Sequence, residues 1–317
     1  MRVLVTDADY GALDLEEEVL RAAGHELLTA RCRTAAEVIE AARDVDAVLV
    51  QYAPITAEVL DALPRLRLVS RYGVGVDVVD LDAARARGVW VCNVPDYGTA
   101  EVALHAVAML LALMRNLIGH DREVHAGRWD HRLGGRLPRP GGLTLGVVGL
   151  GRIGRTTMEG AAPWFGGVVG YDPYLPDDAW PAGVERLGLE ELFTRSNAVT
   201  LHLPLTPETQ GLVGADLLAR MPAGSFLVNT ARGGLVQLDA VAQALADGRL
   251  AGVGLDVLPQ EPPPADHPLL AHPRALLTPH VAWYSEEAEV ELRRKAARNV
   301  VSWAETGRPD HVVVEGR

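Results

Sequence analysis

The stretch that most restricts the fold of this chain lies near its middle. The apolar run Leu145–Val148 leads into Gly149-Leu150-Gly151-Arg152-Ile153-Gly154, and a helical pattern follows. A glycine hexad alone says little. Between a strand and a helix, however, it lets backbone approach a ligand closely and leaves the helix N-terminus free to offer N–H groups and partial positive charge to a pyrophosphate. The next strand-like run, Val168–Tyr171, ends at Asp172, about 20 residues beyond the glycines, where a carboxylate reaches ribose hydroxyls. Its charge repels a 2′-phosphate, and no Arg follows in Pro173-Tyr174-Leu175, so NAD is expected rather than NADP. Because the fingerprint begins at Gly149, the first hundred residues must form a different domain.

The rest of the chain keeps the same rhythm. Short apolar runs at Arg2–Thr6, Ala47–Val50, Leu68–Ser70 and Val89–Val91 alternate with helical patterns at Leu13–Ala23, Ala57–Leu63 and Leu81–Arg87. That alternation predicts a parallel sheet covered on both faces. Beyond the glycine loop, strands are expected at Ala198–His202, Ser225–Asn229, Gly252–Asp256 and Ala275–Thr278, and a last helix at Ser285–Glu305. Val102, Ala106, Met109, Leu110, Leu113 and Leu117 form a helical stripe, with Leu104, Ala108 and Leu111 opposite, so this helix is expected to be buried nearly all round. The fold class is therefore α/β, with two Rossmann-like, doubly wound parallel-sheet domains. The expected boundaries are 1–98 plus 286–317 for a flavodoxin-like, discontinuous substrate domain and 99–285 for the NAD-binding domain.

Composition narrows the function. The 317 residues carry 30 Lys+Arg against 42 Asp+Glu, a net charge of −12. Binding to nucleic acid or to an anionic membrane surface is not expected of so acidic a chain. The longest uncharged helical stretch, Val102–Met114, is shorter than the roughly 20 residues needed to span a bilayer. The N-terminus enters a strand-like run without a leader pattern, and Cys32 and Cys92 have no metal-ligand spacing. A cytoplasmic, metal-free protein is the expectation. Arg128, Arg132, Arg136 and Arg139 make one local basic loop, and Arg293–Arg298 reads as a solvent-facing helix end.

Three segments place polar residues just past predicted strands, at the carboxyl edge where open α/β sheets bind ligands: Asn229–Gly233, Asp256–Pro262 and Thr278–Trp283. One arginine, one carboxylate and one histidine suffice to reduce a 2-oxo acid. The arginine grips the substrate carboxylate and polarises the carbonyl, and the histidine gives its proton to the oxygen as hydride arrives. A carboxylate beside the imidazolium is expected to keep it protonated.

With these motifs the chain resembles the D-isomer-specific 2-hydroxyacid dehydrogenases over its whole length. The resemblance rests on Arg71–Asp77, Cys92–Pro95, Gly149–Gly154, His202–Thr206, Asn229–Gly233, Asp256–Pro262 and Thr278–His280. Val91–Ala103 and His280–Ser285 are most similar to the C-terminal-binding-protein-like and phosphoglycerate-dehydrogenase-like bacterial members, while Pro279 separates the chain from formate dehydrogenases, which carry Gln there. The resemblance implies Arg232, Glu261 and His280 as catalytic residues. It implies Arg71, the backbone of Val74 and Gly75, and Trp283 as substrate contacts. Tyr52, after a first-domain strand, is a further substrate candidate. For the cofactor it implies Thr230, Ala231 and Asp256 near the nicotinamide, beside Gly149, Gly151, Arg152, Ile153, Gly154 and Asp172; Thr99, His202, Pro204 and Thr209 complete the cofactor set. A homodimer and a small anionic 2-oxo or 2-hydroxy acid substrate are also implied. Leu104 departs from the family, which has an acidic residue there. Two other functions fit the same motifs: an NAD(H)-sensing, corepressor-like binding protein, and the same hydride chemistry on a phosphonate or phosphorus oxyanion, suggested by the surplus arginines.

Overall fold

The computed structural model describes every residue except Arg136, so that member of the basic loop lies outside the described residues. The chain divides into two compact units, Met1–Gly98 with Ser285–Arg317, and Thr99–Tyr284. Each is built on a parallel sheet, the α/β class the alternating pattern predicts.

In the first unit, β1 (Arg2–Val5), β2 (Glu26–Thr29), β3 (Ala47–Val50), β4 (Leu68–Arg71) and β5 (Trp90–Cys92) run parallel. All four β3 residues are buried, as helices on both faces require. A late strand, β13 (Val312–Val314), pairs antiparallel with β5 and gives the order β13-β5-β4-β3-β1-β2. The order reverses between β1 and β3, so the loops after these two strands splay apart at a ligand-binding position. The strands β2 and β13 and the helix Ala35–Ala41 are too short, at four, three and seven residues, to announce themselves; the ends of β2, Glu26 and Thr29, are exposed.

The last helix, Glu286–Thr306, starts at Ser285, whose Oγ accepts from Ala288 N at 3.0 Å, and packs on the helix Asp14–Ala22. Here one expectation fails. Arg293 does not face solvent but is buried, and its guanidinium donates to both carboxylate oxygens of the buried Glu16 at 2.9 and 2.8 Å. The cause is helical phase: Arg293 shares a face with Leu292, Ala296 and Val300, all buried.

The second unit holds β6 (Thr144–Val148), β7 (Gly167–Tyr171), β8 (Glu185–Arg186), β9 (Ala198–Leu201), β10 (Ser225–Asn229), β11 (Leu250–Leu255) and β12 (Ala275–Leu277). All pair in parallel, in the order β12-β11-β10-β9-β6-β7-β8. The reversal lies between β6 and β9, and the glycine loop leaves β6 there. The helix Thr99–Met114 packs across β10 and β11 and against the helix Arg152–Ala161. It is buried on one stripe only, Ala103, Ala106, Met109, Leu110, Leu113 and Met114; Leu104 is 70% exposed, so the all-round burial expected from its composition does not occur. The helix ends at Met114, and Leu117–His125 is a second helix bent 60° from it with no buried residue. Among the described residues, no single helix is long and apolar enough to cross a membrane.

Candidate active site

In the second unit the nucleotide-binding elements form first from backbone constraints. Gly149 adopts φ +91, and a Cβ there would meet His202 O at 2.6 Å; at Gly154 a Cβ would meet Gly149 O at 2.0 Å. Gly151, the N-cap of the helix Arg152–Ala161, faces open space and the cap carries no side-chain hydrogen bond. The two outer glycines thus close the turn, and the middle one leaves a cradle that a larger side chain would fill. Arg152 is exposed and Ile153 half-buried at the start of the helix. Asp172 follows β7, and its carboxylate accepts from Leu150 N at 2.9 Å, Tyr174 N at 3.0 Å and Leu175 N at 3.1 Å. It is thereby fixed to the glycine loop. Arg155, which the motif reading missed, braces the same turn by donating to Leu150 O and Ala179 O, both at 2.8 Å.

The remaining cofactor candidates are less uniform. His202 sits beside Gly149, its Nε2 2.9 Å from Thr200 Oγ1; desolvation drives the imidazole down to about 3, so the ring is neutral. Pro204 is exposed, and Thr209 spends its hydroxyl inside the loop, donating to Pro204 O and accepting from Thr206 N, both at 2.8 Å. Thr99 opens the helix Thr99–Met114. Thr230 is 7% exposed, and its Oγ1 has no hydrogen-bond partner among the described residues. An orphaned buried hydroxyl costs about 1–3 kcal/mol unless a ligand satisfies it. Together with the Gly151 cradle it fits a dinucleotide.

The turn carrying Thr230, Ala231 and Arg232 is bent by Asn229 at the end of β10. The buried Asn229 side chain accepts from Ala231 N at 3.0 Å and donates to Arg232 O at 2.9 Å. Gly233 lets this turn press on the next loop, since a Cβ there would meet Leu258 C at 2.0 Å. That loop holds Glu261, whose Oε1 accepts from Leu258 N at 2.8 Å and whose Oε2 lies 2.7 Å from His280 Nδ1. Burial pushes the Glu261 carboxyl up, but the hydrogen bond and charge of His280, the Leu258 N–H and the charge of Arg232 together hold it below the ordinary glutamate range.

His280 has φ 54, in the left-handed region. For a residue with a Cβ this costs about 1–3 kcal/mol and needs support from its surroundings. Asp256 supplies it. His280 N donates to Asp256 O at 2.7 Å, and the buried Asp256 carboxylate accepts from Val281 N at 2.9 Å, Ala282 N at 3.0 Å and Thr278 Oγ1 at 2.6 Å. Trp283 is half-buried and stacks edge-on with Tyr284, ring centroids 5.7 Å apart.

In the first unit, Arg71 ends β4 and its guanidinium lies over Gly73, where a Cβ would meet Nη1 at 1.6 Å. Val74 is 38% exposed, with its carbonyl accepting from Asn93 Nδ2 at 2.6 Å, and Gly75 follows in the same half-exposed turn. Tyr52, 38% exposed, follows β3, and Asp7, which sequence reasoning passed over, fixes its loop: the buried carboxylate accepts from Gln51 N at 3.2 Å, Tyr52 N at 2.6 Å and Ala53 N at 3.2 Å. Tyr10 packs edge-on against Tyr72 at 5.3 Å; burial pushes its phenol up, and the charge of Arg71 opposes this.

Comparison with known proteins fits this arrangement. Residues 107–282 match the family described as D-isomer specific 2-hydroxyacid dehydrogenase, NAD binding domain. The chain is 38% identical to a glyoxylate reductase of Korarchaeum cryptofilum over 281 residues, covering 87% of this chain and 85% of that protein. It is 40% identical over 283 residues to a D-3-phosphoglycerate dehydrogenase of Mycobacterium tuberculosis, covering 88% of this chain but 53% of that one, so it spans about half the length of such relatives. A solved D-lactate dehydrogenase of Aquifex aeolicus, complexed with NAD and lactic acid, superposes with a TM-score of 0.89 at 27% identity, covering 99% of this chain and 100% of the other. This chain belongs to the D-isomer-specific 2-hydroxyacid dehydrogenase family.

Proposed function

We propose that the protein is an NAD-dependent D-2-hydroxyacid dehydrogenase working chiefly as a 2-oxo-acid reductase. The observation that carries this reading is the His280–Glu261 pair, Nδ1 to Oε2 at 2.7 Å, with Glu261 itself anchored by Leu258 N. When bound, NADH supplies the hydride. Glu261 accepts from His280 Nδ1–H and so leaves Nε2 to protonate the substrate oxygen during reduction and to take the proton back during oxidation. Arg232 binds the substrate carboxylate as a fork and polarises the neighbouring carbonyl. Arg71, the Val74–Gly75 backbone and Tyr52 are the substrate contacts of the unit formed by 1–98 and 285–317, which makes it the substrate domain; Trp283 is the apolar contact of the other. Gly149, Gly151, Gly154 and the helix start at Arg152 hold the pyrophosphate. Asp172 would hold a ribose and disfavour NADP, and Thr230, Ala231 and Asp256 would take the nicotinamide.

The phosphonate reading is weakened, because two arginines of the basic loop are already paired: Arg128 with Glu123 at 2.9 Å and Arg132 with Asp130 at 2.8 Å. Nothing in the fold favours the corepressor-like reading either. The protein acts as a homodimer in the cytoplasm, supported by the exposed helix Leu117–His125 with the neighbouring Trp129 at 88% exposure, and by two unpaired, buried cysteines, Cys32 and Cys92. The decisive experiment follows NADH oxidation by the purified chain over a panel of 2-oxo acids from glyoxylate and hydroxypyruvate to branched acids. Turnover near 1 s⁻¹ or above is expected on at least one. No turnover on any of them overturns the reading.

A further inference from the structure

The helix Thr99–Met114 carries an imidazole that the chemistry above does not use. His105 Nε2 lies 3.0 Å from Thr278 Oγ1 and 3.8 Å from Asp256 Oδ1. Thr278 Oγ1 is in turn 2.6 Å from Asp256 Oδ1. A hydroxyl has one proton. The shorter contact is to a carboxylate, which can only accept, so the threonine proton goes to Asp256 and His105 Nε2 must donate to Thr278. The hydrogen bonds therefore run in one direction, from His105 through Thr278 to Asp256, and each polarises the next. They end at the carboxylate that holds the amides of Val281 and Ala282, directly after the histidine whose backbone is in the left-handed region.

We infer that His105 and Thr278 are positioning residues for His280: they orient the Asp256 carboxylate, which sets the 280–282 turn and with it the aim of the catalytic imidazole. This rests on the proposed dehydrogenase reading. Neither residue touches the reacting atoms. Their effect belongs in kcat, because misaiming a proton donor by a fraction of an ångström slows the step without removing a substrate contact.

The variants separate a directed relay from simple packing. Leucine at position 105 keeps bulk and removes the donor, while glutamine restores an N–H at about the place of Nε2. His105→Leu and Thr278→Val are each expected to lower kcat about ten- to a hundredfold on the best 2-oxo acid, with KM and NADH affinity little changed and the melting temperature preserved. His105→Gln and Thr278→Ser recover most of the rate. The double variant His105→Leu/Thr278→Val is no slower than Thr278→Val alone, since both cut one chain of bonds. A His105→Leu enzyme with the rate of the unmodified protein overturns the inference, as does His105→Gln as slow as His105→Leu, or losses that multiply in the double variant. An independent readout needs no substrate: the amide resonances of Val281 and Ala282 should move in His105→Leu and return in His105→Gln, and unmoved resonances reject the relay. Failure of the unmodified protein to turn over any 2-oxo acid rejects instead the dehydrogenase reading, and the amide resonances still decide the relay.

Discussion

At the scale of single residues, the proposed chemistry is concentrated in His280 and Glu261. His280→Ala is expected to cut kcat by about 10²–10⁴, the usual share of a general acid, while NADH titration by fluorescence shows binding nearly intact; an unchanged kcat removes His280 from the mechanism. The Glu261 carboxyl is held low in the folded state. A depressed acid contributes stability above its unfolded value, about 4.3 for glutamate, and loses it as pH falls through the lower native value. Melting curves should therefore show Glu261→Gln less stable than the unmodified protein at about pH 5, with the gap closing as pH falls further. A gap that widens on acidification contradicts the assignment. That an arginine, a carboxylate and a histidine follow predicted strands was legible from residue order, and the family resemblance singled out Arg232, Glu261 and His280 as the candidates. Asn229, Asp7 and His105 were not legible, because what they do depends on which distant backbone groups the fold brings to them: Asp7, for example, meets amides more than forty positions away in sequence.

At the scale of elements, the glycine loop separates two roles that look alike in the sequence. Gly154→Ala drives a Cβ into Gly149 O, 2.0 Å away, whereas Gly151 faces open space. Calorimetry should show a lowered melting temperature for Gly154→Ala, but a nearly unchanged one for Gly151→Val with NADH affinity weakened about tenfold or more, roughly 1.4 kcal/mol. Equal destabilisation by both would deny Gly151 its place in the cradle. The helix Glu286–Thr306 offers a second test. Arg293 stands among Glu16, the Tyr72 hydroxyl bonded to Glu16 at 3.1 Å, and the Tyr10 ring at 5.4 Å. Arg293→Met strands a buried carboxylate, which should cost about 3–5 kcal/mol in urea unfolding; adding Glu16→Gln should recover part of the loss. The position of this helix was plain in the sequence, expected at Ser285–Glu305 and found at Glu286–Thr306. That Arg293 lies on its buried side was hidden, since an arginine in a charged run looks the same whether or not a glutamate waits inside.

At the scale of the whole molecule, the segment after the helix Thr99–Met114 is the association surface of the proposed homodimer. Leu117 is 56% exposed, Val124 47% and Leu133 46%, beside Trp129. Light scattering should show a dimer that Trp129→Glu weakens or dissociates; an unmodified chain that stays monomeric at micromolar concentration refutes the homodimer. From its own order of residues the chain determined the alternation of strand and helix, the nucleotide-binding loop and the candidate trio, because these depend on local periodicity and on short spacings that survive any packing. Only the tertiary structure decided which cations are buried or paired, which face of the helix Thr99–Met114 is covered, and how Asp256 gathers Thr278, Val281 and Ala282 around His280. Those contacts join residues tens of positions apart, and the desolvation and hydrogen-bond geometry that make them count exist only once the strands have placed them side by side.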